Sequence, residues 1–199
     1  TRVRSSAASD VYKKQGKLSL IPHYEYTLSE NPGEGFDAGF KPALTPAEML
    51  FMGVFEGRYL NDCTSEFPKE WFLYALAAGT LGERADVSHN YFKIKSRQPL
   101  SVWRENGWCP KRGRHVAAHE GRTILADSKQ NPDERGWFQW YCRYWLGRRI
   151  PALDAVQIGR WRSFTRHVGG LKAHCARGKL SCSPKERQAL LQWAYNPFI

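Results

Sequence analysis

Arginine carries most of the chemistry this sequence offers. Residues 135–199 hold twelve Lys and Arg, nine of them Arg, against only Asp154 and Glu186. Guanidinium groups stay charged at all working pH and match phosphate oxygens in a two-pronged fork. Such crowding therefore requires either a polyanion or carboxylates brought from elsewhere in the chain. Arg143, Arg148 and Arg149 lie within and just after an aromatic segment, Arg160, Arg162 and Arg166 follow, and Lys172 comes after a pair of glycines. Lys111, Arg112 and Arg114 form a second basic stretch. We expect these residues to neutralise and position phosphates of a nucleic acid or other polyanion, DNA ahead of RNA, with no base-reading side chain singled out. Tyr141 and Tyr144 are the stacking candidates, because a hydroxyl favours a boundary position beside the arginines. The internal alternative is equally concrete: residues 23–92 carry eleven acids against four bases, enough to pair with the basic third across the fold.

A second chemistry is suggested by Gly57–Cys63, which places Arg, Tyr, Asn, Asp and Cys between two expected helices. Asp62 there could act as a general base or nucleophile on a nucleic acid or phosphorylated substrate. Asn and Asp also supply turn geometry and caps, so the same residues read as a simple connection. Ser96-Arg97-Gln98, just before Pro99, carries the same ambiguity. No nucleophile elbow, phosphate loop, dinucleotide fingerprint or zincin motif occurs. Cys109, His115 and His119 lack the close ligand pair that opens a zinc site, so neither a metal nor another cofactor is expected. Five widely spaced cysteines argue against a disulfide framework and for a reducing compartment, cytoplasm or nucleus. The opening Thr1–Ser9 is basic and small, without the apolar core of a secretory signal.

The elements that must position these groups read as helices. Thr45-Pro46-Ala47-Glu48 is a capping box with Pro at the first helical position, and Pro68 and Pro99 open two further segments. Asn131-Pro132-Asp133-Glu134 leads into Trp137–Leu146, where aromatic residues recur on most of the circumference and predict a central core helix. From Asp154, apolar residues at 158, 161, 164 and 168 continue a helix that Gly169-Gly170 should break or bend. Ser183-Pro184 caps a last helix expected to run to Tyr195. Leu18–Tyr26 is at best an edge strand, since Pro22 interrupts it. The expectation is a mainly α, single helical domain. Its core is expected to include Trp137, Trp140, Tyr141, Trp145, Ile158, Trp161, Phe164, Leu190 and Trp193. Residues 1–44 form an extended N-terminal arm and Gly-rich loop, 45–199 the helical domain, and about 109–130 a long basic loop or insertion.

With 199 residues, 42% of them apolar, the chain is too hydrophobic for a disordered polyelectrolyte and long enough to bury a core without staples. No apolar run approaches the roughly 18 residues of a membrane span, so no membrane partner is expected. Four phrases, GVFEGRYLNDC (53–63), SRQPLSVW (96–103), GWFQWYCRYW (136–145) and RQALLQWAY (187–195), resemble those of a family of uncharacterised proteins of about 200 residues. The resemblance spans roughly residues 45 to 195 and implies no activity or site residue. Three functions stay open: nucleic-acid binding through an Arg-rich helical face, an enzyme with its site near Tyr59–Asp62, or a protein–protein interaction module.

Overall fold

The computed structural model describes residues 24–110 and 123–199. Its helices there are α1 (Pro46–Met52), α2 (Lys69–Ala77), α3 (Leu100–Glu105), α4 (Thr123–Ala126), α5 (Trp137–Trp145), α6 (Pro151–Ser163), α7 (Thr165–His174) and α8 (Pro184–Leu191). Short 3-10 turns occur at Phe55–Gly57, Thr64–Glu66 and Val87–His89. No strand occurs among the described residues, so the chain is mainly α as its cap signals and periodicity imply. Of Leu18–Tyr26, residues 24–26 have no regular structure and the rest lies outside the described residues.

Local signals place several helix starts directly. At α1 the Thr45 hydroxyl accepts from the Glu48 amide at 3.2 Å, and the Glu48 carboxylate accepts from the Thr45 amide at 2.7 Å. Both bonds satisfy amides that the first helical turn leaves unpaired. Thr45→Ala is expected to cost about 1 kcal/mol. An unchanged urea midpoint would show that packing alone sets this helix start.

Elsewhere tertiary contacts move the boundaries. α6 begins at Pro151, three residues before Asp154, whose carboxylate instead accepts from the Ile150 amide at 2.7 Å and from the Trp140 indole at 2.8 Å. The helical run breaks at Phe164, and α7 passes straight through Gly169-Gly170. Phe164 stacks on Trp193 with ring centroids 4.2 Å apart. The interruption therefore falls at Phe164 and not at the two glycines. Ser183 adopts a left-handed conformation (φ 51°, ψ 52°) and its side chain makes no capping bond, while α8 stops at Leu191. Cys175 and Cys182, seven residues apart, form a disulfide between α7 and α8. This departs from the expectation drawn from an odd cysteine count. Cys63, Cys109 and Cys142 are buried free thiols, and burial pushes Cys109 up to about 11.

α5 is the centre of the core. Trp137, Phe138, Trp140, Tyr141, Cys142 and Tyr144 are all buried. Phe40, from the irregular N-terminal segment, packs edge-on against Trp140 at 5.6 Å and Trp161 at 4.9 Å. That segment is held by backbone bonds from Ser29 and Glu30 to the Gly147 carbonyl and from Gly33 to the Trp145 carbonyl. The approach requires glycine: Gly147 has φ 113°, and an added Cβ would lie 2.0 Å from the Glu30 carbonyl oxygen.

Candidate functional site

The basic residues singled out by the sequence divide into distinct environments. Arg143 and Arg148 lie in the core. Arg143 donates to both carboxylate oxygens of Glu66 at 2.5 and 3.0 Å and to Asp133 at 2.8 Å. Arg148 donates to Asp133 at 2.8 and 2.7 Å and to the Tyr24 hydroxyl at 3.1 Å. All four charged side chains are at most 2% exposed, and two cations balance two anions. Burial alone would raise the Asp133 carboxyl, but Arg148 and then Arg143 more than offset it and hold it below the usual range. These two arginines are corrected from phosphate contacts to a structural ion cluster. An unpaired guanidinium there would be prohibitively costly, and the acids that neutralise Arg143 come from distant and nearby sequence alike.

Tyr141 and Tyr144 are likewise corrected. Both are buried; the Tyr141 hydroxyl donates to the Leu44 carbonyl at 2.6 Å, and the Tyr144 hydroxyl accepts from the Asp37 amide at 3.0 Å. Their rings have no face for a base. Arg149 lies over the Tyr144 ring at 4.0 Å and donates to the Glu34, Gly35 and Tyr144 carbonyls, which anchors the Gly-rich loop. Arg162 makes a half-exposed ion pair with Asp37 at 2.9 Å, of a kind worth less than about 1 kcal/mol. Arg166 and Lys172 are exposed on α7, with no side-chain partner among the described residues. Lys111, Arg112 and Arg114 lie outside the described residues, as do His115 and His119.

Arg160 leads to the site. It is part of the wall of a cleft of about 800 Å³ built where α3, the start of α5, the α6–α7 bend and α8 meet. Among the described residues five arginines line it: Arg58, Arg97, Arg135, Arg160 and Arg166. Trp103, Trp108, Trp193 and Phe164 supply the main half-buried aromatic surface. Trp193 packs between Phe164 at 4.2 Å and Trp137 at 4.7 Å, with Trp103 near-parallel at 6.3 Å. The Arg160 guanidinium lies over Trp103 at 5.2 Å and Trp193 at 5.5 Å. It donates to Gln157 at 2.9 Å and to the Trp108 carbonyl at 3.3 Å, which fixes its direction.

The sequence pointed to Arg160 and Arg166, but Arg58, Arg97 and Arg135 had to be found by the fold. Glu56 pairs with Arg97 at 2.9 Å, and Asp62 pairs with Arg135. Arg58 is exposed without a side-chain partner among the described residues. Asp62 itself is half exposed and lies outside the cleft wall, whereas Tyr59 lines it and donates its hydroxyl to the Arg135 carbonyl.

No family model, curated protein or solved structure matches the chain. What the site can do is therefore argued from its own groups. No Asp, Glu, His, Cys or Lys is among the described residues of the cleft wall. Ser96 and Ser163 donate to the Lys185 and Arg160 carbonyls, and burial raises the Tyr59 phenol far above its ordinary value. The described residues of the wall thus offer cation and π-surface. Among the described residues no helix is long and apolar enough to cross a membrane.

Proposed function

We propose that this protein binds nucleic acid, DNA in the first instance, with phosphates held by Arg58, Arg160, Arg166 and Lys172. The observation that supports the reading best is the juxtaposition of five arginines and half-buried tryptophans around one cleft whose described wall contains no acid. A phosphate ligand matches the guanidiniums, and a nucleobase matches the rings. Asp62 as a catalytic group is the weaker reading, since its carboxylate is bound to Arg135 and stands outside the cleft wall. Titration of fluorescently labelled DNA at low salt, read by anisotropy, tests the proposal. Saturable binding is expected, weakened several-fold or more by Arg166→Gln with no change in melting temperature. Absence of binding at low salt would overturn it.

A further inference from the structure

We infer that the cleft receives a single unpaired nucleotide of a strand, its base against Trp103 and its phosphate on Arg58 and Arg166. This rests on the nucleic-acid reading above and adds that the site prefers single strands to duplex.

Three features carry the inference. The site is a concavity of about 800 Å³, a size that encloses a small ligand, whereas a paired base inside a duplex cannot enter a pocket. Its aromatic residues differ from the rest of the core: Trp137 and Trp140 are buried, while Trp103, Trp193 and Phe164 keep part of their surface open at the cleft. A protein that only tracks duplex phosphates needs no such rings; one that takes an unstacked base does, since every base has a face to stack. The Arg160 guanidinium over Trp103 and Trp193 adds a cationic plane to that platform. Finally, two cations and an amide of the same wall keep no side-chain partner among the described residues. Arg58 and Arg166 have no side-chain partner among the described residues, and neither has Gln98, which is exposed in the wall and suits a base edge.

The test titrates the full chain with an oligothymidylate of about ten nucleotides, a duplex of the same length, and thymidine monophosphate, reading tryptophan fluorescence and anisotropy. The single strand is expected to bind about tenfold tighter than the duplex. Trp103→Ala should lower single-strand affinity about tenfold or more, and Trp103→Phe should restore most of it. Because Trp103 also packs against Gly136, Arg58→Gln at an exposed position is the second variant. It should weaken the single strand several-fold while leaving the melting temperature unchanged. Equal affinity for strand and duplex, with Arg58→Gln and any folded Trp103 variant neutral, would overturn the inference and leave the nucleic-acid reading standing. A mononucleotide that competes as well as the strand would overturn it too, reassigning the cleft to free nucleotides. No binding of any probe at low salt would remove the underlying reading itself.

Discussion

Asp133→Asn is expected to destabilise the fold by about 3–5 kcal/mol, because it removes one anion from a buried cluster and leaves a guanidinium uncompensated. Asp133 accepts from Arg143 and from both terminal nitrogens of Arg148, and none of these side chains is more than 2% exposed. With Glu66 alone remaining, two buried cations would face one carboxylate. The expected signature is a lower urea midpoint for the variant at neutral pH. The pH dependence follows from the depressed Asp133 value in the folded state. An acid of this kind contributes stability above its unfolded pKa of about 4, and loses it as pH falls through the lower folded value. The wild-type protein should therefore lose stability below about pH 4, and Asp133→Asn should remove Asp133's part of that loss. A change under about 1 kcal/mol would mean that the two guanidiniums find other acceptors, and that the cluster holds register rather than energy.

The cluster also shows where sequence reading stops. The Thr45 capping box and the aromatic spacing of α5 were legible because their physics is local: a cap spans three residues and a helix repeats every 3.6. The excess of arginine was equally legible, but not the job of each one. Arg143 meets Glu66 across 77 residues and Asp133 across 10, so only the fold separates it from an exposed neighbour such as Arg166. Arg187 is similar: it is buried, and its guanidinium is satisfied by the Cys182, Pro197 and Ile199 carbonyls. The cleft gathers residues from 55 to 193, a separation no spacing rule covers. Its arginines at 58 and 97 sat in the two polar phrases that read equally well as turns or caps. Trp193 and Phe164, expected in the core, are half-buried because they form the wall of this cleft.

Salt dependence should report how many basic residues meet phosphate, and among the described residues the structure lowers that number. Arg143, Arg148 and Arg187 are buried, Arg149 is occupied by backbone carbonyls, and Arg162 already has Asp37. Arg58, Arg166 and Lys172, exposed with no side-chain partner among the described residues, are the proposed contacts, together with Arg160, which also holds Gln157 and the Trp108 carbonyl. For about four neutralised phosphates on a single strand, log K should fall against log salt with a slope of about -2.8. Raising salt from about 50 to 200 mM would then weaken binding roughly 50-fold, as each contact releases condensed counterions. Replacing Arg58 and Arg166 together by Gln should reduce the slope magnitude by about 1.4, on any sequence. The melting temperature should stay where it is, since both side chains are exposed and break no ion pair among the described residues. A slope near zero in the wild type would mean that binding does not run through phosphates. A double variant that lowers stability while keeping the wild-type slope would show that these two arginines serve the fold instead.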